Sequence, residues 1–137
     1  MFWSLLLMNL HAAAQTSPAT HILFYCKTDN QKSISVFKQG ANLIYQYGMD
    51  LDKPELHLVH PEKSVEQQPW AGVGNSYWNY LTFKNQGYSY SIGSSHNRNE
   101  GKLESAGVSV SKDGKSVARI DCKPIIDQIG DYVEPVY

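Results

Sequence analysis

Cysteine occurs only twice in the 137 residues, at Cys26 and Cys122. With no C-x-x-C spacing, a thioredoxin-like redox pair is excluded. With no histidines clustered beside them, so is a structural zinc site. Charge is scarce as well: 18% of residues carry it, and the net value is -1. Nothing in that balance neutralises a phosphate backbone, so nucleic acid is not an expected partner. No apolar run approaches the roughly 20 residues that span a bilayer, so no integral membrane anchor is expected. A long helical period is missing, which argues against an α/β fold. The nucleophile elbow G-x-S-x-G is absent. "GVGNS" at 72–76 lacks the Lys-Ser or Lys-Thr of a phosphate cradle and reads as a turn.

Metal ligands are equally thin. His57 and His60 stand three apart in strand-like sequence, so their side chains point to opposite faces. "DLDKPE" at 50–55 offers three acids without the glycine and ligand ladder of a calcium loop. No metal, no cofactor and no catalytic residue is assigned, and the chain is read as a non-enzyme.

What is present begins with an apolar start, "MFWSLLLMNL", followed by "HAAAQTSP". The run has the length of a secretory signal core, and Ala12 and Ala14 supply the small residues of a cleavage site. No Lys or Arg precedes it, an atypical feature for such a signal. Residues 1–14 read as a signal peptide and 15–21 as a flexible leader. The expected location is periplasmic or secreted. In an oxidising compartment Cys26 and Cys122 pair as a disulfide; the alternative is two buried thiols. A bond between them would close a loop of roughly 95 residues and add about 4–5 kcal/mol.

Aromatics make up 12% of the chain and include nine tyrosines, a bias toward strands. From residue 22 to 123, short alternating runs are separated by turn residues. The runs are "HILFYCK", "KSISVFK", "LIYQYG", "ELHLVH", "YWNYLTFK", "YSYSIG", "LESAGVSVSK" and "KSVARIDC". "NQG" and "DG" mark two hairpins. Residues 61–76 read as a long connection. About eight short strands predict an all-β domain, an antiparallel barrel or sandwich. The tail 124–137 has Ile125, Ile126 and Ile129 at helical spacing, enough for one helical turn between Pro124 and Gly130.

Two features suggest binding. Trp78 and Tyr80 share one strand face, and Tyr88 and Tyr90 share a face of the next strand. Together with Trp70 they are candidates for a ring-stacking patch that holds a protein or a glycan. The alternative is core and cross-strand pairing. The polar loop "SSHNRNEGK" at 94–102 carries the second candidate, Arg98, on a hairpin end.

The segments "CKTDNQKSISVFKQGANLIYQYG", "PELHL", "WAGVGNSYWNYLTFKNQGYSYSI" and "GVSVSKDGKSVARIDC" resemble uncharacterised small exported (periplasmic) proteins of Gram-negative bacteria. More loosely, the plan is similar to the C-type lysozyme inhibitors, small disulfide-closed β-barrels that insert a loop into the lysozyme cleft. Their Ser-Gly-x-x-Tyr motif is absent, and "GNSYW" does not replace it. The resemblance implies an exported, non-catalytic binding protein of the envelope, with lysozyme inhibition as its most concrete form. The other classes are an enzyme on cell-wall sugars using a carboxylate pair and a structural subunit of an envelope assembly.

Overall fold

The computed structural model describes residues 20–69, 74–101 and 103–123. Nine strands run through them: β1 (Thr20–Lys27), β2 (Ser33–Gln39), β3 (Asn42–Gly48), β4 (Leu56–Pro61), β5 (Glu66–Pro69), β6 (Ser76–Asn85), β7 (Tyr88–Asn97), β8 (Leu103–Lys112) and β9 (Lys115–Asp121). One 3-10 turn, Glu62–Ser64, joins β4 to β5. The strands form two antiparallel meanders, β1-β2-β3-β4 and β5-β6-β7-β8-β9.

Turn chemistry explains why the meanders are tight. β6 and β7 are joined by Gln86 and Gly87, both at positive φ (52° and 81°), as a two-residue hairpin loop of matching twist demands. Asp113 and Gly114 do the same between β8 and β9, at 50° and 81°. Each alternating run then buries one face. Phe24, Ile34, Val36, Leu43, Tyr45 and Leu58 come from the first sheet. Leu81, Phe83, Ile92, Ala106 and Val108 come from the second and meet them in one core. Tyr45 spans the two sheets, its ring 5.7 Å from both Phe83 and Tyr90.

The two sheets also meet at one edge. Thr28 and Cys122 form a lone antiparallel bridge. Cys26 and Cys122 form the disulfide, with Cα atoms 5.7 Å apart. The first and last strands are thus clasped, as the spacing of the two cysteines predicts.

The fold departs from the sequence-based expectation in two respects. The described residues form nine strands where about eight were expected. Glu66–Pro69, inside the expected connection 61–76, pairs with β6 as a short edge strand. It lines up because Val65 is buried just before it, while Pro69 sits at the strand end, where a missing N–H costs no ladder bond. Nor does a barrel close. The 3-10 turn takes the chain from one sheet to the other without pairing β4 to β5, and β1 meets β9 at the single bridge.

Element ends also differ in detail. β1 begins at Thr20, inside the stretch 15–21 read as leader, and β7 continues to Asn97, inside the expected loop 94–102. Ser94 and His96 are buried there, at 2% and 3% exposure, which is why this polar segment is strand. The signal peptide 1–14 and the tail 124–137 lie outside the described residues.

Candidate functional site

The register decides which aromatics share a face. Asn85 lies opposite Tyr88, so odd positions of β6 share a face with even positions of β7. Phe83 is opposite Tyr90, and Phe83 is core. Tyr88 and Tyr90 therefore turn toward the interior side. Their rings stack with centroids 6.2 Å apart, and Lys112 places Nζ 4.9 Å from the Tyr88 centroid. Burial, reinforced by neighbouring Tyr88, raises the Tyr90 hydroxyl above its ordinary pKa.

Trp78 and Tyr80 lie on the opposite, solvent-side face of β6, opposite Ser95 and Gly93. The structure thus separates the expected patch into two pairs on two faces. Trp70, its fifth member, lies outside the described residues.

The solvent-side face of the five-stranded sheet has a distinctive floor. Across β7 and β8 the facing pairs are Ser89–Ser111, Ser91–Ser109, Gly93–Gly107 and Ser95–Ser105. Short side chains keep it flat. Thr82 and Ser91 share a hydrogen bond of 2.8 Å. On the β9 side Arg119 donates to Asp121 (Nε to Oδ1, 2.8 Å) and to Ser109 (Nη1 to Oγ, 2.8 Å).

The two glycines of this floor are required by close backbone approach. A Cβ at Gly93 would stand 1.9 Å from the carbonyl oxygen of Asn79. One at Gly107 would stand 2.1 Å from that of Ile120. Tyr80, Gly93, Gly107 and Asp121 form one row across four strands. The Tyr80 ring lies over Gly93, with Cδ1 2.7 Å from where a Cβ would be. Tyr80 is half-buried by this contact, so part of its role is to cover the glycine.

Arg98 sits at the exposed tip of the β7–β8 hairpin. The tip is held firmly. Asn97 Oδ1 accepts from the backbone N–H groups of Asn99 (2.9 Å) and Glu100 (3.0 Å). The N–H of Arg98 donates to the carbonyl of Asn75 at 2.7 Å, which ties the tip to the start of β6. A bulge at Ser95/His96 turns Glu104 to the solvent side, where it accepts from Ser76 (2.7 and 3.0 Å) and Ser95 (3.2 Å). Arg98 follows the Ser76–Asn97 end of the β6–β7 ladder, with Trp78 two pairs and Tyr80 four pairs in from that end.

Sequence reasoning missed the serine-glycine floor and Glu104. The signal for the floor was the repeat of Ser and Gly at alternate positions of "YSYSIGSSHN" and "LESAGVSVSK". Among the described residues no cluster of three or more His, Cys, Asp or Glu could hold a metal ion. His57 is exposed, its Nδ1 2.9 Å from Gln46 Nε2, while the His60 ring packs 5.8 Å from Phe83. No helix among the described residues is long and apolar enough to cross a membrane. Comparison with known proteins finds no matching family model, no matching curated protein and no matching solved structure.

Proposed function

We propose that this chain is an exported, non-catalytic binding protein of the bacterial envelope, acting in the periplasm or after secretion. The observation that carries the reading is the solvent-side face of the five-stranded sheet, where Trp78 and Tyr80 lie beside the serine-glycine floor on the half of β6 that leads toward the Arg98 tip. A fold that needed these rings only for its core would have turned them inward with Phe83 and Tyr90. Large rings add contact area at little side-chain entropy cost, and a loop whose backbone is already hydrogen-bonded carries Arg98 without being ordered first. The disulfide supports an oxidising compartment.

The most concrete partner is a lysozyme, with Arg98 against its catalytic carboxylates and the Trp78 face adding contact. The test is inhibition of a C-type lysozyme by micromolar purified protein, run beside binding to soluble peptidoglycan fragments. Inhibition that falls more than tenfold in Arg98→Ala and in the Trp78→Ala/Tyr80→Ala pair supports the reading. Binding to fragments alone makes the same face a glycan site. Turnover of fragments replaces the reading with an enzyme.

A further inference from the structure

A cleft opens between the β6–β7 turn and the β8–β9 turn. It holds about 340 Å³, and its lining includes Lys84, Gln86, Tyr88, Ser89 and Asp113. Lys84 is six residues from Trp78 along β6, about 20 Å, so the cleft is separate from the contact face proposed above.

The two turns are tied together. The N–H of Asp113 donates to the carbonyl of Gly87 at 3.1 Å. The Asp113 carboxylate lies where Gly87 has no side chain; a Cβ there would stand 3.2 Å from Oδ1. The backbone of the cleft is therefore in place before any ligand arrives. Gln86 is the residue that local rules do not explain. It holds φ 52° in the first position of a two-residue turn, where Asn, Asp or Gly is preferred. Asp113–Gly114 follows that preference and Gln86–Gly87 does not, yet Gln86 lines the cleft. Strained backbone at a cleft points to a use for the side chain it carries.

The lining selects a ligand class. The Asp113 carboxylate disfavours an anion, and the Lys84 ammonium disfavours a cation. Lys84 reaches Glu66 at 2.7 Å, but both side chains are more than half exposed, so the pair is weak and does not tie up the ammonium. The Gln86 amide and the Ser89 hydroxyl each donate and accept, Asp113 accepts, and Lys84 donates. Tyr88 supplies the one aromatic surface. Mixed donors and acceptors beside a single ring match the neighbouring hydroxyls and the C–H face of a sugar. The volume stands at the low end of the ~300–1,000 Å³ of small-molecule sites, which suits one ring and not an extended chain. We propose that this cleft binds one neutral hexose ring of a glycan.

The test is residue-resolved amide shift mapping on the oxidised full chain. The probes are glucose, galactose, mannose and N-acetylglucosamine, with inorganic phosphate as the anionic control. At least one sugar should shift the amides of Gln86, Gly87, Ser89 and Gly114 saturably, in the millimolar range that so few contacts support, and leave those of Trp78 and Gly93 in place. Gln86→Asn installs the residue the turn prefers, so its Tm should hold or rise while its sugar affinity falls at least fivefold. Asp113→Gly, which the turn also accepts, should lose affinity likewise. No saturable shift at the cleft with any of the four sugars overturns the proposal. So does a response to phosphate alone, a set of shifts confined to Trp78 and Gly93, or unchanged affinity in both variants. Because the sugars report on the cleft and lysozyme on the Trp78 face, the two readings fail separately.

Discussion

Replacing both cysteines, Cys26→Ala with Cys122→Ala, isolates the clasp between β1 and β9. The bond joins residues 96 apart in sequence. In the chain-entropy model, a loop of that size removes about 16 cal/mol/K from the unfolded ensemble, or about 4.7 kcal/mol at 25 °C. Both sulfurs are buried, at 3% and 8% residue exposure, so their loss adds a small packing cost of about 1 kcal/mol. What remains at the junction is one bridge and the Lys123–Lys27 hydrogen bond, worth about 1 kcal/mol net. The expected loss is thus about 4–6 kcal/mol, a large share of the stability of a small domain. For roughly 100 ordered residues the matching fall in Tm is about 20 °C or more. Urea unfolding of the oxidised protein and the double variant measures it. A loss below about 1.5 kcal/mol at unchanged m-value would refute the reasoning, since loop closure would then not be what the bond supplies. A marked rise in m-value would show instead that the bond acts by keeping the unfolded chain compact.

Three further outcomes are expected. Gly93→Ala should cost more than the ~1–3 kcal/mol of ordinary overpacking, because its Cβ meets the Asn79 backbone, not a side chain that can turn aside; chemical denaturation beside Gly40→Ala, which meets nothing within 4 Å and bears only the backbone strain of its φ of 59°, checks this. Tyr45→Ala should lose about 3–5 kcal/mol, since a 1% exposed ring linking Phe83 to Tyr90 leaves a cavity between the sheets. Burial lowers the His96 pKa below its ordinary 6.5, against the opposing pull of Glu104. The native state therefore binds fewer protons than the unfolded one, so this contribution is full above pH 6.5 and is lost as pH falls toward the native value. His96→Phe should flatten the fall in stability below pH 6.5, and an unchanged slope would place the titration elsewhere.

Much of the strand pattern was legible because alternation and turn chemistry act locally. "DG" and "NQG" produced the two hairpins at Asp113–Gly114 and Gln86–Gly87. The short edge strand was missed because four residues ending in proline carry too little alternation to outweigh the surrounding turn residues. The aromatic patch was misgrouped for a different reason. Both pairs were placed on correct faces of their own strands, yet faces of neighbouring strands are matched only by register. A two-residue loop fixes Asn85 opposite Tyr88, so Tyr90 must follow Phe83 inward while Trp78 and Tyr80 stay on the other side.

By itself the sequence determined that these residues form short antiparallel strands, because side-chain alternation and positive-φ turn residues are properties of a few neighbours. It also determined that no membrane-spanning helical run lies among them and that the two thiols fall near the ends of the folded region. Only the tertiary structure decided that the strands sort into two sheets, that a barrel stays open at β4–β5, and that Gly93 and Gly107 lie opposite each other. Each of these depends on pairing and close approach between segments far apart in the chain, and no local pattern encodes which backbone comes within 2 Å of a missing Cβ.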